Sequence, residues 1–139
     1  MKKKILLLLT LILLISLSVG CKNSKFDLSY EQFKESYILA TDFVDKDTDS
    51  LKAIKKIDLD SFEADLKKMK EAIDTMNNEL NSKDEKGIYG NVEGYYQGLE
   101  FLLYAKKNFD KLTTEEKIKV DTEVISASMN RKSIKQGEE

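Results

Sequence analysis

The stretch LDSFEADLKKMKEAIDTMNNEL, residues 59–80, decides the fold class. Its apolar positions Leu59, Phe62, Leu66, Met69, Ile73, Met76 and Leu80 recur at alternating gaps of three and four, the period of one helix face. Asp60-Ser61-Phe62-Glu63 reads as a capping box with Asp in the place of Ser or Thr. Glu63 with Lys67, and Lys70 with Asp74, stand four apart on the wet side and support the helix. Such a seam serves either an intermolecular coiled coil or a helix packed inside its own bundle. About three heptads is the lower limit for a free coiled coil, so the intramolecular bundle is the expectation adopted.

Working outward from that helix, the same signals recur on both sides. Upstream, Leu28-Ser29-Tyr30-Glu31-Gln32-Phe33 places Ser29 at an N-cap, Gln32 at N3, and Leu28 with Phe33 as a hydrophobic staple. Phe33, Tyr37, Ala40 and Val44 continue as one stripe until the charged run 45–50, after which residues 51–57 read as a short helical segment. Downstream, residues 81–91 read as a polar, glycine-containing loop, and a helix is predicted over about 91–108. Val92, Tyr95, Tyr96, Leu99, Leu102 and Leu103 give that helix so wide an apolar arc that it is expected to be the central one. Thr113 with Glu116 forms another capping box. Beyond it the pattern is divided: Ile118, Val120, Thr122 and Val124 alternate as in a strand, whereas Ile118, Ile125 and Met129, with Val120, Val124 and Ala127 opposite, form helical stripes. The cap and the absence of a partner strand favour helix for 118–129. Residues 131–139 are expected to fray. The expected architecture is all-α, a small bundle of three to four helices within residues 29–130.

Composition narrows the chemistry. The chain has 139 residues, no His, no Trp, no Pro and a single Cys. One domain is the expectation from that length. Histidine triads, Cys–His dyads, His-liganded zinc, CxxC redox pairs and intrachain disulfides are excluded. The net charge is −2, and three of the basic residues are Lys2, Lys3 and Lys4 at the extreme N-terminus, so the remainder is more acidic still. A nucleic-acid binder needs a basic stripe, and none is present. Asp45, Asp47 and Asp49 imitate the start of a calcium loop, but Ser50 replaces the needed Gly, Lys52 the apolar residue and Lys56 the bidentate Glu. No metal and no cofactor is expected. Glu115 and Glu116, adjacent on a helix, face apart and do not make an acid/base pair. These features predict a protein that is not an enzyme.

The N-terminus carries the strongest signal. Met1-Lys2-Lys3-Lys4 is a positive start, and residues 5–19 are apolar except for Thr10, Ser16 and Ser18. At about 1.5 Å per residue this run covers roughly 22 Å, short of the roughly 30 Å hydrocarbon core, so it reads as an export signal and not as a membrane span. It ends in Leu17-Ser18-Val19-Gly20-Cys21, which resembles the lipobox of bacterial lipoproteins. The family usually has Leu three residues before the cysteine; here Ser18 holds that place and Leu17 precedes it. The resemblance implies a signal peptide over residues 1–20, cleavage between Gly20 and Cys21, and a diacylglyceryl thioether on Cys21. Residues 21–28 would then be the lipidated cysteine and a short linker. Two acyl chains suffice for stable anchoring, so the expected location is the extracytoplasmic face of the cell membrane, held by the lipid anchor.

Gly90, Gly94 and Gly98 stand four apart, and Gly94 and Gly98 fall inside the helix predicted over about 91–108. Each mid-helix glycine costs about 1 kcal/mol against alanine, so a compensating gain is expected, with close approach of a neighbouring helix backbone as the default. A groove floored by these glycines and walled by Tyr89, Tyr95 and Tyr96 is the candidate binding face. Three classes of function fit the sequence. The first is a non-enzymatic lipoprotein whose bundle binds or occludes a membrane-proximal protein partner, comparable in size and placement alone to immunity and phage-exclusion factors. The second is a small-ligand-binding lipoprotein using the Tyr/Gly face of residues 89–105. The third is a hydrolase whose site no motif marks.

Overall fold

The computed structural model describes residues 24–137. Among them the chain is all-helical, with five α-helices and two short 3-10 turns: α1 (Lys25–Ala40), a turn at Asp42–Asp45, α2 (Ser50–Lys55), α3 (Leu59–Asn78), α4 (Lys83–Lys107), a turn at Phe109–Lys111, and α5 (Thr114–Gln136). Five helices exceed the three to four expected, and the short α2 accounts for the difference. The signal peptide, Gly20 and Cys21 lie outside the described residues.

The four long helices form an antiparallel bundle. Lys25 at the start of α1 pairs with Glu79 just past α3 at 3.4 Å, while Phe43 beyond α1 meets Phe62 at the start of α3 with ring centroids 6.1 Å apart. Lys107 at the end of α4 pairs with Glu63 near the start of α3. Tyr104 late in α4 donates to Glu116 early in α5 at 2.8 Å, and α5 closes the ring by returning along α1. Helix α2 packs across α4, α5 and the first 3-10 turn, burying Ala53 and Ile54, and Ile57 follows them inward.

Helix α3 confirms the seam from which its fold was read: Phe62, Leu66, Met69, Ile73 and Met76 are buried against the other staves, with Leu59 and Leu80 half-buried at the ends. Its cap lies earlier than expected. The Asp58 carboxylate accepts from the Ser61 amide at 2.9 Å, which leaves Asp60 inside the first turn. Helix α1 likewise starts at Lys25, so residues 25–28 are helix and not linker. Ser24 and Asp27 exchange side-chain and backbone bonds, each at 3.0 Å. With the cap there, Leu28 falls on the outer face, 57% exposed, and the expected staple with Phe33 does not form; Phe26 is buried instead.

Two further boundaries move for the same reason. Ser82 and Glu85 form a capping box that starts α4 at Lys83, so the loop predicted over 81–91 shrinks to a tight α3–α4 connection. Helix α4 is also one stave among four, with Val92, Leu99, Leu102 and Ala105 buried on a single stripe, and it is not central. Residues 118–129 are helix: Thr113 and Glu116 cap α5 as read from the sequence. That helix continues to Gln136 with Arg131 and Ile134 buried, so the expected frayed tail is helical at least that far, ending at Gly137 in the left-handed conformation (φ 68°). No helix among the described residues is long and apolar enough to cross a membrane.

Candidate functional site

The glycine positions of α4 do open a concave site, though not for the reason anticipated. A cleft of about 360 Å³ runs between α4 and α5, lined by Tyr37, Gly94, Tyr95, Gly98, Leu99, Glu123, Ser126, Ala127, Met129 and Asn130. No helix backbone presses against the glycines. A Cβ added at Gly90 or Gly94 would meet nothing within 4 Å, and one at Gly98 would meet only the Glu123 side chain, with Oε2 at 2.7 Å. The close-approach expectation is therefore corrected: Gly98 makes room for a carboxylate, and Gly94 leaves open space.

The six residues of the predicted face divide between two sides of α4. Gly94, Tyr95 and Gly98 line the cleft. Tyr89 and Tyr96 turn toward α3. Tyr89 donates to Glu93 at 3.1 Å, and its hydroxyl is pushed up by partial burial and then by that carboxylate, with Lys70 and Asp74 also acting on it. Tyr96 is pushed up to about 12 by burial and by the charge of Glu100. Gly90 is exposed and lies outside the cleft. A helix turns about 100° per residue, and here Tyr95 faces Tyr37 and the cleft while Tyr96 faces Asp74 of α3.

Most of the cleft wall comes from other helices. Tyr37, from α1, forms part of the wall with its ring 5.6 Å from that of Tyr95. It is buried to 1% exposure, and burial pushes its hydroxyl up to about 12; Asn130 opposes this by donating to it at 3.4 Å, while Tyr95 and Glu123 add to it. From α5 come Glu123, Ser126, Ala127 and Asn130, spaced at three, four and seven residues and hence on one face. That spacing is visible in the sequence. Its pairing with Gly94 and Gly98 is not.

No protein-family model, curated protein or solved structure matches this chain. The site is accordingly read from its own chemistry. A carboxylate, an amide, a serine hydroxyl and two phenol rings surround a floor without side chains, an arrangement suited to holding and orienting a small molecule.

The acidic run that imitates a calcium loop is spent on structure. Asp45 pairs with Arg131 at 3.2 Å, Asp47 accepts from the Asp49 amide and pairs with Lys56, and Asp49 caps α2 through the Lys52 amide. The Asp47 carboxyl is held below its usual range by the Asp49 amide first and by Lys56 second. Among the described residues no group of three or more His, Cys, Asp or Glu is placed to hold a metal ion.

Proposed function

We propose that this chain is an extracytoplasmic lipoprotein, anchored through a diacylglyceryl thioether on Cys21, whose non-enzymatic helical bundle binds or occludes a membrane-proximal protein partner. The observation that carries this reading is the positive start, apolar run and lipobox-like Leu17-Ser18-Val19-Gly20-Cys21. The early start of α1 supports it by shortening the tether. With helix from Lys25 onward, residues 21–24 reach at most roughly 14 Å when extended. A domain on so short a leash stays close to the bilayer surface. Labelled fatty acid fed to cells producing the native chain and Cys21→Ala tests the reading. Label on the native chain alone, with the label lost in the variant, is the expected result. No label on either chain, or a native protein recovered free of membrane, overturns it.

A second reading, a small-ligand-binding lipoprotein, is favoured by the cleft of about 360 Å³ at Gly94, Tyr95 and Gly98. This volume lies at the small end of the range for ligand pockets. A thermal-shift screen separates the two, because a ligand at 100 times its Kd adds about 2.7 kcal/mol to stability.

A further inference from the structure

We propose that the cleft between α4 and α5 binds an organic cation, a primary ammonium or guanidinium on a short apolar stem, with Glu123 as its counter-ion. This deepens the second reading above by assigning the charge and size of the ligand, and it is independent of lipidation at Cys21.

The charge comes from Glu123. It is half-buried on α5, and its carboxylate makes no hydrogen bond or ion pair among the described residues. Lys119, one turn earlier and the natural partner by spacing, instead holds its ammonium over the Phe101 ring, 4.2 Å from the centroid. A carboxylate at the wall of a cleft with no counter-charge beside it attracts an incoming cation.

The seat for that charge comes from glycine. A Cβ at Gly98 would stand 2.7 Å from Oε2 of Glu123 and push the carboxylate aside, whereas Gly94 faces open space in the same wall. Two mid-helix glycines at about 1 kcal/mol each are accounted for if one admits the carboxylate and the other admits the ligand. Tyr37 and Tyr95 stand in the lining beside Ser126, Ala127, Met129 and Asn130, and electron-rich ring faces attract ammonium and guanidinium groups. An anion would be repelled by Glu123, and a neutral apolar molecule would desolvate it further with no return. The volume, at the small end of the range for ligand pockets, admits a small molecule or one side chain.

The test titrates the full chain in nonionic detergent with n-butylammonium and agmatine, beside the neutral isostere 1-butanol and the anion butyrate. The amide resonances of Gly94, Gly98, Glu123 and Asn130 are followed. Saturable shifts are expected with the two cations and not with butanol or butyrate. Glu123→Gln should weaken cation binding tenfold or more while leaving the melting curve unchanged. Gly98→Ala, which displaces the carboxylate, should weaken it as well, and a circular dichroism melt checks that this variant is folded. Tighter binding of the free amines than of an acetylated, amidated lysine peptide assigns the site to a free metabolite, and the reverse order assigns it to a partner's side chain; the cation site stands in either case. Equal shifts with butanol, undiminished binding by Glu123→Gln, or no shift with either cation overturns the proposal. The Cys21→Ser chain gives the same titration whether or not the anchoring reading holds, so the two failures are distinguishable.

Discussion

Replacing Arg131 with methionine tests how the C-terminal segment is held. Arg131 is the only arginine in the chain and is 9% exposed. Its guanidinium donates to the Ile38 carbonyl, to the Thr41 hydroxyl at 3.3 Å and to Asp45 at 3.2 Å. Ile38 lies in the last turn of α1, where carbonyls lack intrahelical donors and where α1 has no basic residue of its own. Arg131 thus caps α1 from across the bundle and complements its dipole. Methionine keeps much of the aliphatic stem and removes the donors. Losing a charged hydrogen bond to a buried acceptor costs about 1.5–3 kcal/mol. The Asp45 pair adds only a few tenths, because that carboxylate is 63% exposed. Thr41 retains its own bond to the Tyr37 carbonyl at 2.6 Å. The total is about 2–3 kcal/mol, and at about 4 °C per kcal/mol for a domain of this size the Tm falls by roughly 8–12 °C. Circular dichroism melts with urea titrations measure it. An Arg131→Met melt within about 2 °C of wild type, where about 0.5 kcal/mol is the limit, or a chain cut after Asn130 that melts normally, would refute the assignment.

Four other outcomes are expected. Phe26→Ala should cost about 3–5 kcal/mol in a urea titration, since Phe26 is 1% exposed; a neutral result would return residues 25–28 to the linker. Gly90→Ala and Gly94→Ala should each raise stability by about 0.5–1 kcal/mol, because the added methyl meets nothing and the helix gains propensity; destabilisation at either position would mean an unseen close contact. Ser82→Ala should cost about 1 kcal/mol by removing the cap that starts α4, read from the Tm. Tyr37 and Tyr96 are each pushed up to about 12, above the ordinary value near 10. Their contribution is therefore fully present below about pH 10 and is lost as pH rises toward about 12; Tyr37→Phe should flatten this alkaline limb in urea titrations, and an unchanged limb would show that Tyr37 does not carry it.

Periodicity and caps carried the all-α class, the buried face of α3 and the start of α5, because helical spacing and a Ser/Thr-x-x-Glu pattern act within a few residues of themselves. The Ser82–Glu85 box has the same pattern and marks the true start of α4; the glycines that follow it made the segment resemble a loop. Local pattern places the start of α1 at Ser29 with Gln32, whereas the structure caps it at Ser24 with Asp27. The earlier start buries Phe26 against the bundle and leaves Leu28 in water. Composition, not folding, settles the exclusion of histidine chemistry and of intrachain disulfides.

The cleft belongs to the other category. Gly94, Tyr95 and Gly98 stood out from local spacing, but Tyr37, Glu123 and Asn130 join them from two other helices, 57 residues upstream of Gly94 and 25 and 32 downstream of Gly98. Arg131 reaches Ile38 across 93 positions. Hydrophobic spacing states that a face is buried without naming what covers it, and a polar side chain finds its acceptor only after the staves are set side by side. Helices are written locally; caps supplied from another helix, and clefts between helices, exist only once burial has chosen neighbours.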